Sequence, residues 1–216
     1  MVVINNLPYL FEGLGVTIGL AVALLTLGLF AGLGLALAQV YGRPGLPLLA
    51  TLIERLFRAI PAVVLLFLFY YGIAGFYNIS SFTAAVLALG LRSAAYQSQI
   101  FRGAIQSIPT GQMTAARAIG LSRASAVRAI ILPQALRQAT GPWTNEALSE
   151  LKDTSLAYTI GVVELMRQAS YIVSANYGHT LLVFSSAAFA YLVISLGMSA
   201  ALNALNRKLA VPGFET

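Results

Sequence analysis

The sequence predicts an all-α integral membrane protein, a single domain over residues 1–216 with five transmembrane helices. Three observations carry that prediction. The chain is 58% hydrophobic and only 9% charged, with a mean hydropathy of +0.81, whereas a soluble domain carries about a quarter charged residues. Its apolar residues come in long runs separated by short Gly, Pro or polar breaks. Its basic residues gather in a few of those breaks rather than being spread along the chain.

The first span is predicted over Gly13 to Ala38, which holds no charged residue. About 20 apolar residues suffice to cross a bilayer. Its recurring glycines allow close helix packing in lipid. Met1 to Glu12 contains neither Lys nor Arg, so the segment is not expected to be a cleavable signal. Tyr41 to Gly45 reads as a turn. Leu46 onward reads as an amphipathic approach helix carrying Glu54, Arg55 and Arg58. Pro61 follows, and a second span is expected from about Ala59 to Phe76. After the polar break Tyr77 to Ser81, the third span runs from Phe82 to Phe101. Arg92 lies inside it, and Arg102 closes it. A basic segment follows, to about Arg137. Gly141-Pro142 is expected to open the fourth span, with the proline in the first turn where its missing N–H costs little. That span ends near Ile160. Its polar residues Asn145, Glu146, Ser149, Glu150, Lys152 and Asp153 fall in an arc of roughly 160° at about 100° per residue. Such a stripe must face protein or water. Gly161 to Asn176 reads as a short amphipathic segment at the membrane surface, with Glu164 and Arg167. Thr180 to Leu202 is the fifth span. His179 beside Gly178 is read as a surface residue.

This topology is self-consistent in charge. Arg43, Arg102, Arg117, Arg123, Arg128, Arg137, Arg207 and Lys208 all fall on one side. The positive-inside rule makes that side cytoplasmic, with the N-terminus outside and the C-terminus inside. Localisation to the plasma (inner) membrane of a prokaryote is expected.

Several function classes are excluded or disfavoured. There is no cysteine and one histidine, so neither a disulfide framework nor a multi-histidine zinc site is available. The net charge of +6 sets orientation; no aromatic-interleaved basic patch points to nucleic acid. No Gly-Lys dipeptide occurs, so no P-loop holds ATP. No nucleophile stands at usable spacing from a base. No cofactor is expected, and no catalytic residue is assigned.

The segment from Gln112 to Pro133 (QMTAARAIGLSRASAVRAIILP) is basic and has no acidic residue. Ala115-Ala116, Gly120 and Ile130-x-Leu132-Pro133 punctuate it. This spacing resembles the cytoplasmic "EAA loop" of ABC importer permeases, with Thr114 at the family's glutamate. Arg102-Gly103-Ala104-Ile105, Ile108-Pro109-x-Gly111-Gln112, Leu132-Pro133-Gln134-Ala135 and Lys152-Asp153-Thr154-Ser155-Leu156 narrow the resemblance to permeases of the polar amino acid uptake branch. The resemblance covers nearly the whole chain, most firmly Arg102 to Leu156. Arg58-Ala59-Ile60-Pro61 stands where the family has Arg-Gly-Thr-Pro. Ala95-Tyr96-Gln97-Ser98-Gln99 stands where it has Ala-Tyr-x-x-Glu.

The resemblance implies the type I ABC importer permease fold, with a coupling loop at about 103–137. It implies that Thr114, Ala115, Ala116, Ala118, Gly120, Leu121, Leu132 and Pro133 engage an ATP-hydrolysing subunit. Expected partners are an ABC ATPase subunit dimer, a second permease subunit, identical or paralogous, and an extracytoplasmic solute-binding protein on a separate chain. Small Ala side chains let a coupling helix approach its partner, and Gly120 permits a turn that a side chain would obstruct. Pro133 is expected to stop one helix and set the entry to the next.

Charges at membrane depth are costly and usually functional. An amino acid carries both an ammonium and a carboxylate, so a site for it needs both signs. Arg58 and Lys152 are candidates for the carboxylate, and Glu54, Glu150 or Asp153 for the ammonium; Glu146 is a further candidate for the site. Pro61, Tyr96, Gln99, Asn145, Thr154 and Ser155 complete the candidate substrate set. A second reading stays open, in which Glu54/Arg58 and Lys152/Asp153 are internal pairs that hold the helices. Arg92 is read as snorkelling or pairing within the bundle. Two further functions also stay open: a permease of the same type for another small solute, and an ATP-independent secondary transporter.

Overall fold

The computed structural model describes residues 2–73 and 76–209. Ala74 and Gly75, within the expected second span, lie outside the described residues. Every regular element among the described residues is helical.

The chain opens with a single helical turn, α1 (Val2–Asn5), then enters α2 (Leu7–Tyr41). Pro8 sits in the first turn of α2, where no backbone donor is lost. At 1.5 Å per residue α2 is about 50 Å long, more than the roughly 30 Å hydrocarbon core, so the expected first span extends at both ends. The chain leaves it at Gly42, in extended conformation. One face of α2 repeats every fourth residue: Leu20, Leu24, Gly28, Gly32 and Ala36 are all buried. This row packs on α5 (Ser81–Ser107). At Gly28 an added Cβ would run into the side chains of Gln97 and Ser93, and at Gly32 it would lie 2.8 Å from the Ala94 carbonyl oxygen. Glycine here is a packing requirement.

The second crossing divides at Pro61, as expected. α3 (Leu46–Ala59) ends at Ile60, whose backbone is extended, as the residue before a proline prefers. α4 (Ala62–Phe67) restarts after Pro61 and continues as a π-helical stretch, Leu68–Gly72. Ala62–Gly72 spans only about 16 Å, half a bilayer. With α3 it is long enough to cross. The exposed face of α3 is Leu48, Leu49, Leu52 and Leu56, and its buried face holds Ala50 and Glu54.

Ser80 caps α5, its hydroxyl accepting from the Thr83 amide at 3.1 Å. After Ile108-Pro109 comes α6 (Thr110–Ala118). Ser122 then caps α7 (Arg123–Ala126), accepting from the Ser125 amide at 3.1 Å. α7 passes through a π-helical turn, Val127–Ile131, into α8 (Leu132–Asp153). Two expectations are corrected here. Pro133 stops no helix: Ile131 and Leu132 keep helical dihedrals through it. The wide turn just before Pro133 eases the clash of its ring with the carbonyl one turn back. Gly141-Pro142 opens nothing either, because Pro142 lies inside α8. The fourth span thus starts well before it.

α8 passes into a 3-10 stretch, Thr154–Ile160. α9 (Leu165–Ala175) follows, then a 3-10 turn, Tyr177–His179, and α10 (Thr180–Leu209). α9 is the expected short amphipathic helix, but Glu164 is not a surface residue; it is 0% exposed. Its carboxylate accepts from the Met166 and Arg167 amides at 2.9 and 2.8 Å and from the Tyr191 hydroxyl at 2.8 Å. Thr17 Oγ1 accepts from the neighbouring Leu165 amide at 3.1 Å. This polar knot ties α2, α9 and α10 together. His179 is exposed, as expected.

Three apolar clusters stack along the bundle. Leu10, Leu165, Ile172 and Val183 lie at one end. Leu20, Leu24, Leu66 and Leu89 fill the middle. Phe101, Ile105, Ile108 and Ile131 lie toward the basic loop. Among the described residues, α2 and the helical stretch Tyr177–Lys208 are each long and apolar enough to cross a membrane alone. The remaining crossings carry polar faces and turn them inward.

Candidate functional site

Two regions carry chemistry. The first is the basic loop, at one end of the bundle. α6 ends as a Schellman motif: the Leu121 amide donates to the Ala116 carbonyl at 3.1 Å and the Gly120 amide to the Arg117 carbonyl at 3.1 Å. Gly120 has φ +87°, the left-handed conformation this motif uses. The Arg117 guanidinium donates to the Leu121 carbonyl at 2.8 Å and closes the turn. Ala116 is buried, whereas Thr114, Ala115, Ala118 and Gly120 are exposed. Leu121 and Leu132 are half-buried, and Pro133 is exposed on α8. Ile119, which sequence reasoning passed over, is 76% exposed at the tip. A short rigid helix thus presents small side chains and one large apolar one away from the bundle. Beneath it lies a cavity of about 430 Å³, bordered by Tyr41, Met113, Thr114 and Arg123. The Arg123 guanidinium stacks 5.3 Å from the Tyr41 ring centroid.

The second region is a charged cluster inside the helices, where α3, α5 and α8 meet. On α3 the Arg58 guanidinium donates to Glu54 at 2.6 Å, and Glu54 is 2% exposed. The pairing predicted by their spacing is present. On α5, Arg92 and Tyr96 share a face one turn apart. The Arg92 guanidinium lies 4.9 Å from the Tyr96 ring centroid and the Arg58 guanidinium 5.2 Å from it. Both distances suit cation–π attraction. On α8, Glu146, Glu150 and Asp153 form one row at a spacing of four and three. Arg92 donates to Asp153 at 2.9 Å and lies 3.7 Å from Glu150. Arg92 pairs within the bundle, as expected, and joins α5 to α8.

Other candidates sit apart. Lys152 is exposed and makes no ion pair among the described residues, so the expected alternative of a Lys152/Asp153 pair is replaced by Arg92/Asp153. Asn145 shares that exposed side of α8. Thr154 is fully buried and its hydroxyl donates to the Leu151 carbonyl at 2.6 Å. The Ser155 hydroxyl donates to the Lys152 carbonyl at 2.8 Å. Both hydroxyls serve the change from α to 3-10 winding. Gln99 lies on the same face of α5 as Arg92 and Tyr96 and accepts from Arg102 at 2.7 Å. Pro61 stands at the break between α3 and α4, directly after the Arg58 turn. The Gln97 amide, also unforeseen, accepts from the Trp143 indole at 2.8 Å and donates to Ser93 at 2.9 Å, a second polar link between α5 and α8. Among the described residues no group of three or more His, Cys, Asp or Glu is placed to hold a metal ion.

Residues 33–211 match the family of binding-protein-dependent transport system inner membrane components. The chain belongs to this family. Its relatives within the transport family include the probable amino-acid permease protein YxeN of Bacillus subtilis (strain 168), 35% identical over 97% of this chain and 95% of that protein. The glutamine transport system permease protein GlnP of Escherichia coli (strain K12) is 36% identical over 95% of this chain and 94% of its own. The solved structure of an amino acid ABC transporter with histidines superposes with a TM-score of 0.86 at 33% identity, covering 95% of this chain and 96% of that one. The MetNI methionine ABC transporter shares the fold, with a TM-score of 0.82 at 21% identity over 94% of this chain and 97% of its own. The fold is that of the type I importer permeases.

Proposed function

We propose that this chain is the single-domain permease subunit of an ATP-driven importer of polar amino acids. It would form the membrane pathway with a second permease subunit and take solute from an extracytoplasmic binding protein. ATP hydrolysis belongs to partner subunits docked on the basic loop. The observation that carries this reading is the helix Thr110–Ala118, closed by Gly120, standing outside the bundle with Thr114, Ala115, Ala118 and Ile119 exposed. The relatives named for glutamine and other amino acids support the solute class. The loop side is taken as cytoplasmic because Arg102, Arg117, Arg123, Arg128 and Arg137 lie there.

Inside the bundle, Glu54, Arg58, Tyr96, Glu150 and Asp153 are the proposed substrate contacts, with Arg92 and Glu146 added to them. ATP binding brings the docked ATPases together, draws the α6 helices with them, and rocks the helices around the cluster. Rigid-body rocking around a midplane site suffices for alternating access. Pull-down of the tagged chain from its native membranes in mild detergent tests the reading. A stoichiometric ATPase is expected, and it is lost with Gly120→Pro. Recovery of the chain alone would reject it.

A further inference from the structure

The charged cluster is unbalanced, and the imbalance is buried. Four carboxyls, Glu54, Glu146, Glu150 and Asp153, lie among two guanidiniums, Arg58 and Arg92. Each guanidinium has a close carboxylate of its own. Arg58 is bonded to Glu54 at 2.6 Å, and Arg92 to Asp153 at 2.9 Å. Glu150 is left with only a 3.7 Å approach to Arg92 on one oxygen. Its other oxygen, Oε2, is buried without any hydrogen-bond partner, and the residue is 1% exposed. Glu146 stands one turn before Glu150 on the same face of α8. Lys152 does not offset this, since it is exposed and lies about 200° around the helix axis from Glu150.

Two adjacent carboxylates, one buried and one half-buried, must be met by a positive group or share a proton. A neutral amino acid brings an ammonium and a carboxylate and leaves the net excess unchanged. An anionic one increases it. A solute with a positive side chain reduces it, and its α-carboxylate can meet Arg58, whose side chain is 40% exposed. We propose that the Glu146/Glu150 pair receives the cationic side chain of the transported solute, so that the importer selects amino acids bearing an ammonium or guanidinium group. This rests on the reading of the chain as an amino acid permease.

The test uses the purified permease–ATPase complex without its binding protein, so that selectivity belongs to the membrane site. Equilibrium binding is measured with radiolabelled L-lysine, L-arginine, L-glutamine and L-glutamate. Lysine or arginine is expected to bind about tenfold or more tighter than glutamine and glutamate. Glu150→Gln is expected to weaken that binding by about tenfold or more, as loss of one member of a buried charge contact does. Glu146→Gln gives a second reading if Glu150→Gln lowers the melting temperature of the complex. Glutamine or glutamate bound as tightly as lysine would overturn the inference and leave the amino acid permease reading intact. Lysine binding unmoved by either substitution would also overturn it, the pair then holding a proton between its carboxyls. No binding of any of the four, with no ATP-driven uptake of them by the complete importer, would remove the amino acid reading and the inference together.

Discussion

Gly32 shows how single positions set the helix spacing. A Cβ there would lie 2.8 Å from the Ala94 carbonyl oxygen and 3.0 Å from Gln97 Cβ. Backbone cannot move aside as a side-chain end can, so Gly32→Val should destabilise the protein by about 1–3 kcal/mol through overpacking. Gly34, two residues on, has no atom within 4 Å of its virtual Cβ. Gly34→Ala should be neutral or stabilising, by up to about 1 kcal/mol of helix propensity. Thermal unfolding of both variants in detergent checks the contrast. Glu164→Ala should cost about 0.5–2 kcal/mol for the lost cap, and more because the Tyr191 hydroxyl loses its acceptor; the same melts report it. The i,i+4 pair of Glu54 and Arg58 was legible in the sequence because both partners sit on one helix. Arg92/Asp153 was not, since 61 residues separate the partners and local spacing says nothing about such a pair. Glu164 was hidden for a related reason. Its side-chain partner Tyr191 comes from a helix 27 residues on, and a lone acidic residue in a loop reads as exposed.

At the scale of the element, the loop was the most readable part of the chain. The Ala-Ala and Gly120 spacing encodes a helix and its stop, and a Schellman turn is a local structure that needs no distant partner. A residue with φ +87° tolerates a side chain poorly, and proline cannot adopt it. Gly120→Pro should therefore leave the chain inserted in the membrane but abolish ATP hydrolysis stimulated by loaded binding protein. Quantitative blotting of membranes beside an ATPase assay separates the two effects. Pro61 was read correctly as a break, whereas Pro133 and Pro142 misled the reading. Pro61 breaks its crossing, leaving α3 and α4 as separate pieces. Pro133 and Pro142 do not break theirs, one following a π-helical turn and the other held inside α8. Sequence marks proline as punctuation, but packing of neighbouring helices decides whether a helix ends there.

For the whole molecule, apolar runs and basic breaks were enough to give the number of crossings and the class of fold, because a bilayer demands both. What they left unseen is how three polar faces, on α3, α5 and α8, converge. The polar arc of α8 was visible as an arc, but its division into an inward acidic row, with Glu150 buried and Glu146 and Asp153 half-buried, and an exposed row with Asn145 and Lys152 depends on where α5 packs. Orientation can be checked directly, since the chain has no cysteine of its own. A membrane-impermeant maleimide should label Asn78→Cys from outside intact cells. It should reach Ala124→Cys only after permeabilisation. The reverse pattern would invert the topology.

Under the proposed function the bundle moves solute only when a partner hydrolyses ATP at the α6 loop. The most direct measurement is uptake of radiolabelled amino acids into proteoliposomes that hold the complex purified from native membranes. Loaded binding protein is supplied outside and ATP inside. Uptake is expected to require ATP and to stop with Gly120→Pro. Uptake of the same size without ATP, driven by an ion gradient and indifferent to that substitution, would contradict it.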